Sequence, residues 1–103
     1  MLERDITTKI LRHLKTLPDT FCWKQHGSQY GPAGIPDIIC CYRGMFIAFE
    51  VKTNTGRLSK LQQVTMRRIR EAGGRAFKVT SVDEVQAALD SLEVSDGQKS
   101  VGD

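Results

Sequence analysis

The chain has no apolar run long enough to cross a bilayer; its longest, such as Met45 to Phe49, are of strand length. Its first residues, Met1-Leu2-Glu3-Arg4-Asp5, are charged at once and lack the apolar stretch of a secretory leader. A cytoplasmic chain with no membrane partner is therefore expected. Cysteines are few: Cys22, Cys40 and Cys41. An odd number with two adjacent excludes an even disulfide framework, and the spacing is wrong for a zinc module completed by a histidine. These residues read as reduced thiols packed in strands. No internal repeat is present, which excludes a solenoid.

What remains is ordinary for a globular domain, with 26% charged and 40% apolar residues. At 103 residues there is room for one core and little else. A chain this small that acts on a large substrate often works as a dimer. Net charge is +3, but it is unevenly spread. From Glu93 onward three acids (Glu93, Asp96, Asp103) face one base (Lys99), or −2, so the body carries +5. A positive body fits a polyanionic partner.

Apolar residues Ile6, Ile10, Leu14 and Leu17 recur at helical spacing between Leu2 and Leu17, ahead of Pro18-Asp19. A strand is expected over Phe21–His26, then a loop punctuated by glycine and proline from Gly27 to Gly34. Pro36–Tyr42 and Met45–Thr53 are β-rich runs around Arg43-Gly44, a hairpin signal. Ser59 caps an expected helix from Lys60 to Ala72, stopped by Gly73-Gly74. Arg75–Val79 reads as a strand, and Ser81-Val82-Asp83-Glu84 as a capping box opening a last helix to about Leu92. Residues 93–103 are polar and small and read as a disordered tail, leaving a domain over 1–92. The order α-β-β-β-α-β-α predicts an α/β fold with a mixed central sheet flanked by helices.

Several charges break the binary pattern. In the strand from Met45, Ile47, Phe49 and Val51 face one way; Ala48, Glu50 and Lys52 face the other. Counted outward from the turn, Asp37 and Glu50 are cross-strand neighbours. Two carboxylates that close repel unless a cation lies between them. Mg²⁺ takes oxygen ligands, commonly one or two carboxylates with water and phosphate oxygens. Such an ion polarises a phosphate and acidifies a water. Lys52, on the same face, is placed to orient that water or offset charge growing on phosphorus. The plainer alternative is a surface Glu50–Lys52 pair on an edge strand, with Asp37 in a loop.

Two further polar residues fall near apolar faces. Glu3 projects within about 20° of Ile10 on the helical wheel, where an acid needs a partner, or else it simply favours the helix N-terminus. Gln62, rather than Gln63, lies beside the stripe Leu58, Leu61, Val64, Ile69 and Ala72, as a phosphate- or water-ordering amide or as a plain boundary residue. Lys9, Lys15, Arg57, Arg67 and Arg70 are candidate contacts to a nucleic-acid backbone. His26, Tyr30 and the glycine loop are either turn-formers or substrate contacts.

Gly34-Ile35-Pro36-Asp37-Ile38, followed by Glu50-Val51-Lys52, resembles the signature of the PD-(D/E)XK nuclease superfamily. The glycine before Pro-Asp, and Thr53-Asn54-Thr55-Gly56-Arg57-Leu58-Ser59 ahead of a Gln-bearing helix, resemble its VRR-NUC branch. The resemblance spans about residues 3 to 80. It implies a restriction-endonuclease-like αβββαβ core with an extra C-terminal helix. Asp37, Glu50 and the Val51 carbonyl would hold Mg²⁺ or Mn²⁺, and Lys52 would be the catalytic lysine. Glu3 and Gln62 match the accessory acid and glutamine. The implied reaction is attack by a metal-activated water on phosphorus in DNA, leaving a 5′-phosphate. Stand-alone members resemble phage and bacterial proteins and dimeric Holliday-junction resolvases, implying a homodimer that acts on branched DNA in repair, in a bacterial or phage-infected cell. A flap or less selective nuclease competes with that reading, as does a non-catalytic DNA-binding module on the same scaffold.

Overall fold

The computed structural model describes residues 1–26 and 33–100, with side chains as far as residue 92. The elements are α1 (Glu3–Leu14), β1 (Thr20–Lys24), β2 (Ile38–Tyr42), β3 (Met45–Val51), α2 (Lys60–Glu71), β4 (Arg75–Val79) and α3 (Val82–Ser100). Every expected element is present in the expected order. The strands form one sheet ordered β1-β2-β3-β4. The β1–β2 and β2–β3 pairs are antiparallel, and the β3–β4 pair, joined through α2, is parallel. This is the mixed α/β sheet that the element order predicts.

The β2–β3 hairpin turns at Arg43 and Gly44, both with positive φ (50° and 83°). Positive φ at both central residues suits a two-residue turn to the twist of its strands. The turn sets the register, pairing Ile38 with Phe49 and Cys40 with Ile47.

One face of the sheet carries the main core. Ile6, Ile10 and Leu14 of α1 and Val85, Leu89 and Leu92 of α3 pack on Ile38, Cys40, Ile47, Phe49, Val51 and Val79. On the opposite face Ala48 and Ala76 are paired across β3 and β4, and both are buried. Their small side chains leave room for α2. Arg70 of that helix donates through Nε and Nη2 to the Ala76 carbonyl (3.2 and 2.8 Å).

The structure corrects several expectations. In α2 the buried residue is Met66, flanked by half-buried Gln62 and Ile69, while Leu61 and Val64 are exposed. The inward stripe is thus centred on Gln62–Met66–Ile69 rather than on the leucines. Helix α3 continues to Ser100 rather than ending near Leu92. No proline interrupts its backbone bonding over that stretch. Of the thiols, Cys22 and Cys40 are buried and paired across β1–β2, but Cys41 is exposed. Strand alternation turns Cys41 to the face opposite Cys40. Burial pushes both the Cys22 and Cys40 thiols up, so they are inert core groups. Among the described residues, no helix is long and apolar enough to cross a membrane.

Candidate active site

Asp37 sits immediately before β2, on a segment held at several points. Its carbonyl accepts from the Gln25 amide (2.7 Å), which ties it to the end of β1. Pro36, just before it, is fully buried. Gly34 has φ +76°, and a Cβ there would lie 2.7 Å from the Leu61 carbonyl oxygen and 3.0 Å from Thr65 Oγ1. Thr65 in turn donates to the Ala33 carbonyl (3.0 Å). The Gly-Ile-Pro-Asp segment is therefore laid against the first turns of α2 by a glycine with no room for a side chain. Neither Thr65 nor Gln25 was singled out from the sequence. Thr65 touches a residue 32 positions away, and nothing local signals such a contact.

The β2–β3 register, extended by one pair, sets Asp37 opposite Glu50, as counting from the turn implied. Asp37 Oδ2 accepts from the Val51 amide at 2.8 Å. In an extended strand a residue's N–H and C=O point to the same side, so the Val51 carbonyl also faces the Asp37 side. Glu50 lies on β3, an interior strand of the sheet, and is only 3% exposed. It is no surface acid on an edge strand.

Burial pushes the Glu50 carboxyl up to about 9, through desolvation first and then through the hydrogen bond and charge of Asp37. Lys52 opposes that rise, and Glu3 adds to it. At neutral pH and without a cation Glu50 is therefore protonated. Lys52 follows β3, half-buried, its amide donating to the Val79 carbonyl (3.0 Å). Gly56 closes a turn onto it: a Cβ there would meet Lys52 Cβ at 3.2 Å. Thus the turn after β3 folds back over the lysine because it carries a glycine.

Glu3 is the first residue of α1 and is exposed, not set into the apolar face. The helix begins at this residue, so its side chain is free of the packed stripe, yet its charge reaches Glu50. Gln62 is half-buried where Gln63 is exposed. Its Oε1 accepts from the Ser59 backbone N–H (2.8 Å) and its own backbone N–H donates to Ser59 Oγ (3.1 Å), a reciprocal capping box. The oxygen end of Gln62 is committed to the helix start.

The candidate backbone contacts do not form one patch. Lys9 lines a recess with Ile6, Thr80 and Asp83. Lys15 is at the far end of α1, about 18 Å along the axis from Glu3. Arg57 and Arg67 are exposed, and the Arg70 guanidinium is held on the Ala76 carbonyl. His26 is exposed, while Tyr30 and the loop at 27–32 lie outside the described residues.

Asp37, Glu50 and the Val51 carbonyl make an oxygen donor set. Among the described residues no group of three or more His, Cys, Asp or Glu side chains is placed to hold an ion. That excludes a zinc-type cluster there, whereas two carboxylates and a carbonyl suit Mg²⁺ or Mn²⁺, which complete their shells with water and phosphate oxygens. A buried carboxyl raised by desolvation and by the neighbouring Asp37 fits such an ion.

A mixed four-stranded sheet with helices on both faces carries a cross-strand Asp–Glu pair and a lysine beyond it, and the family that the chain matches makes it a nuclease-type domain. The family profile of the VRR-NUC domain matches residues 2–83, and the chain belongs to that family. The family generally uses divalent metals, and DNA is its partner class. A solved structure named "VRR-NUC domain" superposes with a TM-score of 0.72 at 23% identity, covering 85% of this chain and 94% of the other. A second, named "VRR-NUC domain protein", gives a TM-score of 0.72 at 15% identity, with 87% and 86% covered. At those identities the likeness is one of fold. No curated protein matches the sequence.

Proposed function

We propose that the chain is a divalent-metal-dependent DNA endonuclease with Asp37, Glu50 and the Val51 carbonyl as metal ligands and Lys52 as the catalytic lysine. The observation that carries this reading is the burial of Glu50 beside Asp37, which holds its carboxyl up to about 9. A structural core gains nothing from a buried acid pair. A pure DNA binder gains nothing from acids facing phosphate. A site that receives a cation gains both its ligands and its selectivity from them.

When bound, Mg²⁺ or Mn²⁺ supplies charge to the phosphate oxygen and acidifies a water. Asp37 is kept ready for that role by the Val51 amide, which fixes its Oδ2. Glu50 would hold the cation as a carboxylate, its proton passing to solvent. Lys52, on the face shared with Glu50, orients the attacking water and offsets charge on phosphorus. Glu3 contributes a carboxylate at the rim. The NH₂ end of Gln62 is placed to order a water or a phosphate oxygen. The product is a 5′-phosphate.

Branched DNA, four-way junctions among it, is the favoured substrate and a homodimer the favoured assembly; a chain of this size has little groove of its own. Isothermal titration of Mn²⁺ in two buffers of different ionisation enthalpy tests the site. Release of about one proton per metal at pH 7.5, lost in Glu50→Gln, is expected. Binding without proton release, or unaltered in Glu50→Gln, would contradict the assignment. DNA affinity indifferent to metal, with no cutting, would favour the non-catalytic module.

A further inference from the structure

The face of the sheet that carries Glu50 is only partly covered. Helix α2 lies over Ala48 and Ala76, and the β1 side of that face is open. There Phe21 is 70% exposed and Trp23 42% exposed. Their rings contact each other, with centroids 5.6 Å apart and planes tilted by 45°. Trp23 Nε1 donates to Gln25 Oε1 (3.2 Å), which sets the orientation of the indole. Large aromatics left in water side by side are costly, and a rigid exposed pair marks a contact surface.

Register places this pair relative to the acids. Trp23 pairs with Ile39, and Ile39 pairs with Ala48, one alternation before Glu50. The indole therefore shares its face with Glu50, about 8 Å from Asp37 and about 12 Å from Glu50, counting backbone spacings. That is about two to four nucleotide steps of a stacked strand.

Resting on the nuclease reading above, we infer that Phe21 and Trp23 form a stacking platform for an unpaired base of the DNA strand being cut. Exposed aromatic rings bind unpaired bases through their faces, whatever the sequence, and paired bases in a closed duplex cannot reach them. The platform selects DNA with single-stranded character beside the scissile phosphate. A second protein copy seated on Trp23 would lie across the Asp37–Glu50 row and shut out the strand that must reach it. The net positive charge, +3 overall and more without the acidic C-terminal segment, suits a polyanionic partner in general.

The chain has one tryptophan, so its emission reports on Trp23 alone. Wild type is titrated in EDTA with a labelled dT oligonucleotide, a flap and a blunt duplex, following tryptophan emission and label anisotropy together. Quenching at saturation by the single strand and the flap is expected. Trp23→Leu should raise the single-strand Kd about tenfold more than the duplex Kd, with most of it regained in Trp23→Phe. Saturated single-strand binding with unchanged emission overturns the platform. A blue shift on raising protein concentration alone also overturns it, and assigns the face to a second copy. Cleavage assays run in parallel separate the two readings: cutting without quenching removes only the platform, and quenching without cutting removes only the nuclease.

Discussion

The carboxylate of Asp37 accepts the Val51 amide at 2.8 Å, joining the Pro-Asp segment to the residue between Glu50 and Lys52. One hydrogen bond thus locks the two halves of the motif together across the hairpin. The side chains flanking Val51 inherit a fixed relation to Asp37, and this relation underlies the consequences below.

Glu50 makes the metal-free chain pH-sensitive. Its folded pKa of about 9 exceeds the ordinary 4.5, so between these values the folded state binds the extra proton. Stability from this group is full below about pH 4.5 and declines as pH rises toward 9. Thermal melts in EDTA should show Tm falling over that window. Glu50→Gln should flatten the fall, and Mn²⁺ should reverse it in wild type only.

Gly34 and Gly44 provide a matched comparison. Both have positive φ, but a Cβ at Gly34 meets the Leu61 backbone whereas one at Gly44 meets nothing. Gly44→Ala should cost about 1 kcal/mol, the backbone term alone. Gly34→Ala should cost about 3 kcal/mol, because overpacking against α2 adds to it. Denaturant melts measure both, and metal titration should show weaker binding for Gly34→Ala, since its strain falls on the segment carrying Asp37.

The outline of the site is legible in the sequence, and its supports are not. Strand alternation and the count from Arg43-Gly44 put Asp37, Glu50 and Lys52 on one face, because both are local periodicities. The wheel correctly turned Gln62 rather than Gln63 inward but centred the α2 stripe on leucines. An isolated helix does not reveal which of its sides will be covered, and here the buried residue is Met66. For Glu3 the wheel angle and the helix start point to different outcomes, and the exposed side chain follows the helix start. Thr65 against Ala33 and Gly56 against Lys52 were silent, since one is a long-range contact and the other depends on how a turn closes.

Gln62 has two roles that separate by substitution. Gln62→Glu keeps an oxygen for the Ser59 amide and should leave stability within about 0.5 kcal/mol of wild type. It removes the NH₂ donor, so single-turnover cleavage should fall about tenfold or more. Gln62→Ala should lose both the cap, about 1 kcal/mol, and the rate. An unchanged rate in Gln62→Glu would restrict this residue to capping α2.

Lys52→Ala tests the catalytic lysine separately from metal binding. Its charge lowers the Glu50 pKa, so the variant should raise the proton cost of binding metal slightly and still load at saturating Mn²⁺. Cleavage at saturation should drop about 10²- to 10³-fold.

The most direct test of the central claim is cleavage of labelled four-way junction, flap, single strand and linear duplex with Mg²⁺ or Mn²⁺. Wild type, Lys52→Ala and wild type in EDTA are run side by side. Metal-dependent cutting by wild type alone, strongest on the branched substrates and leaving 5′-phosphates, is the expected result. No cutting of any substrate by folded, metal-loaded protein, or cutting that persists in Lys52→Ala at the wild-type rate, would contradict it.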